Sequence, residues 1–161
     1  MKILREERDN EIILSMADKW DLIRSQMQSH FYRMFEHLIK VYYYHNYSQY
    51  LRGWITSIRK GFEHISKLVN THKYPTKEQI LDEIWKVWLD NDEDFDQLHI
   101  EIVDEINNSY DEIEPIEHID LIGFKRFAKQ YCELLAEKLS KKGSISTDEI
   151  TNFINNYFNE N

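Results

Sequence analysis

Apolar residues return every three or four positions through most of this chain, the period of an α-helix with one buried side. The first stripe, Trp20, Ile23, Met27, Phe31, Met34, Leu38 and Val41, predicts one long helix over residues 11–45. His45-Asn46-Tyr47-Ser48 breaks it, and Ser48 is placed to cap a second helix with Leu51, Trp54, Ile58, Phe62, Ile65 and Val69 inward. Gly53 and Gly61 fall within that helix. Glycine costs a helix about 1 kcal/mol relative to alanine, so close approach of a neighbouring helix is the expected reason for both. Thr71 to Pro75 interrupts the pattern, because the residue before proline avoids the helical region. Thr76 and Gln79 then form a capping-box pair that opens a third helix carrying Ile80, Leu81, Ile84, Trp85 and Trp88. Asp90-Asn91-Asp92-Glu93-Asp94 reads as a turn before a fourth stripe, Phe95, Leu98, Ile102, Ile106, Tyr110 and Ile113, which Pro115 closes. A fifth helix from Glu117 to Ser140 turns Phe124, Phe127, Tyr131, Leu134, Leu135 and Leu139 inward and stops at Lys141-Lys142-Gly143. Ser146 with Glu149 caps a sixth, burying Ile150, Phe153, Ile154 and Tyr157.

These elements make an all-α chain, a single domain over residues 1–161 built as one bundle of five or six largely antiparallel helices. Composition agrees. Of 161 residues, 42% are hydrophobic and 14% aromatic, enough for a core, while only 4 glycines and 2 prolines starve the chain of the turns a many-stranded sheet needs. The single cysteine, Cys132, lies in an apolar stripe and makes no internal disulfide, which suits a reducing, cytoplasmic setting. The opening MKILREERDNE loses its apolar character after Leu4, and no run of about 18 apolar residues follows, so secretion and membrane spanning are both disfavoured.

Charge changes the picture most. Residues 78–120 hold 1 basic residue against 16 acidic ones, whereas residues 1–77 hold 13 against 8 and residues 121–161 hold 6 against 5. So acidic a segment repels nucleic acid and attracts basic surfaces.

Four chemistries compete with a plain solvated surface. Asp90, Asp92, Asp94 and Glu101 occupy positions 1, 3, 5 and 12 of a calcium-loop register, but Phe95 stands where glycine must make the sharp turn. The 7 histidines lack metal-ligand spacing: there is no His-Glu-x-x-His or Glu-x-x-His pair, and Asp96 with His99 is the one acid–histidine match three apart. Helical ribonucleases of the HEPN type use arginine, four to six intervening residues, then histidine, so that a cation steadies phosphate and an imidazole moves a proton. Arg24 to His30 and Arg59 to His64 both fit, and Tyr32 completes the first set. With 7 arginines and 7 histidines, about one such pair arises by chance, and a polar strip on a long helix explains them as well. The run Tyr42-Tyr43-Tyr44-His45-Asn46-Tyr47, with Tyr50 and Trp54, could stack bases; helical geometry should turn some of these rings outward, where tyrosine favours protein contacts.

His30-Phe31-Tyr32-Arg33-Met34-Phe35-Glu36-His37-Leu38-Ile39-Lys40-Val41, followed by Tyr47-Ser48-Gln49-Tyr50-Leu51-Arg52, resembles a stretch of the phage abortive-infection protein family. The likeness covers about thirty residues, with a shorter gap between its two parts and Gly53-Trp54-Ile55 where that family tends to carry glutamine. It implies a prokaryotic antiphage role and transfers no catalytic residue. The pieces His37-Leu38-Ile39-Lys40 and Trp54-Ile55-Thr56-Ser57-Ile58 are equally similar to a family of uncharacterised bacterial helical proteins.

The sequence therefore points to a non-enzymatic interaction subunit or inhibitor without cofactor, engaging a basic protein partner through Asp104, Glu105, Asp111 and Glu112 rather than nucleic acid or membrane. The alternatives are a dimeric, metal-independent ribonuclease using Arg24, His30 and Tyr32, and a calcium-binding protein using Asp90, Asp92, Asp94 and Glu101.

Overall fold

The stripes become helices packed on shared ground. The computed structural model describes residues 25–26, 29–72, 92–109 and 113–160, and among them the regular structure is entirely helical. The helices are α1 (29–44), α2 (Ser48–His72), α3 (Asp92–Ser109), α4 (Leu121–Ser140) and α5 (Thr147–Glu160). No described helix is long and apolar enough to cross a membrane. The expected helix over residues 76–89 and the first part of the expected 11–45 helix lie outside the described residues.

One hydrophobic cluster draws on all five helices. Phe31, Met34, Leu38 and Val41 of α1, Trp54, Ile58, Phe62 and Ile65 of α2, and Ile150, Ile154 and Tyr157 of α5 are buried as their spacing requires. Phe35, Phe95 and Phe124 join α1, α3 and α4: Phe35 meets the other two edge-on at 5.0 and 5.2 Å, and Phe95 stacks on Phe124 at 5.9 Å. Phe127 carries the contact on to α5, meeting Tyr157 edge-on at 5.0 Å. Each buried aromatic pair adds roughly 0.5–1.5 kcal/mol beyond the area it hides.

Boundaries moved for identifiable reasons. The Tyr47 carbonyl accepts from the Tyr50 and Leu51 amides, so Ser48 is already inside α2 rather than capping it. α3 starts at Asp92, ahead of Phe95. α4 starts at Leu121 instead of Glu117, because Asp120 makes the cap: its Oδ1 accepts from the Gly123 amide at 2.9 Å. Residues 113–120 stay non-helical. Asn107 holds that segment with its amide group, donating to the Ile116 carbonyl at 3.1 Å and accepting from the Ile116 amide at 2.8 Å.

The last two helices join as the sequence indicates, with one exception. Ser146 Oγ accepts from the Glu149 amide at 3.1 Å, and Lys138 of α4 reaches the Glu149 carboxylate at 2.6 Å. At the end of α4 the Gly143 amide donates to the Lys138 carbonyl and the Lys142 amide to the Leu139 carbonyl, a Schellman turn. The left-handed residue is Lys142, φ 53°, not the glycine expected there. Gly53 has no neighbour near its absent Cβ, and a Cβ on Gly61 would meet Met34 Cβ at an ordinary 3.8 Å, so neither glycine marks a tight crossing.

Candidate functional site

The outer side of α3 is built from the residues its apolar stripe leaves over. With Phe95, His99, Ile102, Val103 and Ile106 buried, helical period pushes Gln97, Glu101, Asp104, Glu105 and Asn108 into solvent. The helix contains no lysine or arginine. Glu101 accepts from Gln97 Nε2 at 3.2 Å, and among the described residues none of Glu101, Asp104 and Glu105 forms an ion pair. Glu114 and Glu117 in the segment after α3 are also exposed. Asp111 and Glu112 lie outside the described residues.

Tyr32 of α1 borders this side. Its partial burial, then Glu105, Glu36 and Glu101 in that order, raise its hydroxyl above the usual tyrosine value, because each disfavours a phenolate. His30, two positions earlier, faces elsewhere: its ring stacks on His64 of α2, centroids 4.9 Å apart and planes 8° from parallel. His30 and Tyr32 thus address different helices, and within one chain they do not share a site. Arg24 lies outside the described residues, and Arg59 is held by Glu63. The structure does bring together the two histidines of the competing arginine–histidine pairs, which neither spacing foretold.

The calcium-loop register is corrected. Asp92, Asp94 and Glu101 lie on the continuous helix Asp92–Ser109, whose rod-like backbone cannot wrap a cation, and Phe95 is fully buried in the core. Asp90 lies outside the described residues. No group of three His, Cys, Asp or Glu suited to a metal ion occurs among the described residues.

The tyrosine run is also corrected, and it exposes a network that the sequence did not reveal. All three hydroxyls turn to the segment before α4 or to α3. Tyr42 donates to Asp120 Oδ2 at 2.5 Å, Tyr44 donates to the Glu114 carbonyl at 2.6 Å, and Tyr43 accepts from the Asp120 amide at 3.0 Å. Tyr43 Oη also lies 2.8 Å from His99 Nε2. With the amide donating to it, the Tyr43 proton is free to go to that nitrogen, leaving the neutral imidazole protonated at Nδ1, which has no partner. Burial drives His99 down to about 4, against a weaker opposing pull from Asp120. Burial likewise pushes Tyr43 up to about 12. The Tyr42 hydroxyl and then the Gly123 amide hold Asp120 below the usual carboxylate range. His99, Tyr43 and Asp120, held in their resting protonation states near neutrality, make a clamp rather than an acid–base relay. The one advance signal was Asp120 three residues ahead of Gly123.

No protein-family model, no curated protein and no solved structure matches the chain.

Proposed function

We propose that this is a cytoplasmic, non-enzymatic interaction subunit or inhibitor of a prokaryotic antiphage or toxin-control assembly, its helices arranged as a largely antiparallel bundle. A protein partner with a basic surface docks on the outer side of α3. The observation that carries this reading is that Glu101, Asp104 and Glu105 stand exposed on a helix with no basic residue, and none has an ion-pair partner among the described residues. Unpaired surface carboxylates contribute little to stability, so their value lies in steering and selecting a partner. The test neutralises Asp104, Glu105, Asp111 and Glu112 together as Asn and Gln. Affinity for the partner isolated from the native host should fall at least tenfold, with a flatter dependence on salt. Unchanged affinity in that variant counts directly against the proposal.

A second reading, a HEPN-like metal-independent ribonuclease, draws on the state of His30. Burial, then His64 and Arg33, hold its imidazole below the usual value and therefore neutral near pH 7, as a general base requires. Because His30 and Tyr32 face different helices, that site would need a second copy to complete it. RNA cleavage lost in His30→Ala would support it, and cleavage absent from the wild type removes it.

A further inference from the structure

The large apolar side chains left exposed among the described residues are Ile100, Ile119 and Ile122, and all of them lie where α3 meets the start of α4. That join is firmly built. Phe95 and His99 of α3 both meet the Phe124 ring of α4, and Tyr43 Oη lies 2.8 Å from His99 Nε2 while accepting from the Asp120 amide at 3.0 Å. Ile100 follows His99 in the chain, and Ile119 and Ile122 bracket Asp120-Leu121, so one clamp carries all three isoleucines. Ile122 is 78% exposed. A lone surface isoleucine needs no explanation, but several at one rigid join mark a contact surface.

Charge divides about the same join. On α3 the exposed carboxylates are Glu101, Asp104 and Glu105; Glu101 and Glu105 act on the Tyr32 hydroxyl of α1, and helical spacing turns Ile100 away from Glu105 to the other flank. On α4 residues 121–132 carry Lys125, Arg126 and Lys129 and no carboxylate. Arg126 and Lys129 are exposed, and Lys125 Nζ reaches back over the Phe95 ring of α3, 5.8 Å from its centroid. The surface therefore runs from acid on α3, through isoleucine, to base on α4.

Such an order is complementary to itself. A half-turn about the apolar middle lays the acid of each copy on the base of the other, the geometry of an isologous two-fold contact. A wholly basic partner would suit α3 alone and be repelled by α4.

We propose that the α3–α4 face is a two-fold interface between copies of this chain, with Ile100, Ile119 and Ile122 at its centre and the α3 carboxylates of each copy set against the α4 cations of the other. The basic surface that meets α3 is then supplied by a second copy, a step that rests on reading the outer side of α3 as a docking face.

Sedimentation of the purified full chain at about 1–100 µM should show a monomer–dimer equilibrium, shifting toward monomer as salt rises from about 0.05 to 0.5 M. Two charge-reversed variants, Glu101→Lys with Asp104→Lys and Arg126→Glu with Lys129→Glu, should each dimerise at least about tenfold more weakly than the wild type, with far-UV circular dichroism unchanged. Mixed in equal amounts, they should pair with each other, because each then offers the sign the other lacks. Ile122→Asp should also weaken the dimer. A wild-type chain that is monomeric throughout, or reversed variants that dimerise like the wild type or fail to pair when mixed, overturns the interface. With no host protein present, a monomeric chain leaves the test of the host partner standing, and unchanged host-partner affinity beside an intact dimer removes that partner alone.

Discussion

Gly123 is the residue on which the tyrosine clamp turns. A Cβ there would overlap both Asp120 Oδ2 and Tyr42 Oη, the hydrogen-bonded pair that ties the capping residue of α4 to α1. Neither is the tip of a loose side chain, since each is fixed by its hydrogen bonds. Gly123→Ala should therefore destabilise the fold by about 1–3 kcal/mol despite its better helix propensity, read as a lower midpoint in urea unfolding. His99 supplies a second prediction at this scale. It is fully buried and held to about 4 against an unfolded value near 6.5, so its share of stability is present above pH 6.5 and drains away as pH falls toward 4. The loss should reach about 3 kcal/mol, and His99→Gln should flatten that part of the stability profile. A profile equally steep in His99→Gln would show that other groups carry the acid sensitivity. The sequence offered little warning of either residue, because a glycine near a helix start and a histidine on an apolar stripe acquire their roles only from α1, many residues away.

At the scale of elements, period was legible and punctuation was not. The inward positions of α1, α2, α4 and α5 follow the helical repeat closely, since burial of a stripe depends on spacing within the element itself. The ends depend on neighbours. α4 begins at Leu121 because residues 113–120 are occupied elsewhere, tied by Asn107 and Tyr44, and no local pattern encodes that. Consecutive tyrosines misled for the same reason: a helix sends them to different directions, but here α3 and the segment before α4 together wrap around the end of α1 and receive all three. The end of α4 gives a prediction of opposite sign. Lys142 bears a left-handed φ of 53° that glycine adopts without strain. Lys142→Gly should stabilise the chain by about 1 kcal/mol, seen as a rise in thermal midpoint.

Across the whole molecule, charge and structure divide the labour. Ion pairs among the described residues include Lys40 with Glu36, Arg59 with Glu63, Lys138 with Glu149 and Lys141 with Glu137, and none of these involves Glu101, Asp104 or Glu105. The concentration of acid was readable from residue counts; its placement beside the half-buried Tyr32 was not, because it needs the packing of α3 on α1. The three tyrosine hydroxyls also bear on how the chain reaches this state. Their partners stand 56 to 78 positions away, so each contact closes a long loop whose entropy must be met before the bond can form. The three hydroxyls of the first segment therefore wait for the middle one during folding, and a nascent chain still lacking residues 99–120 leaves the end of α1 with three unclaimed phenols, a natural foothold for a chaperone.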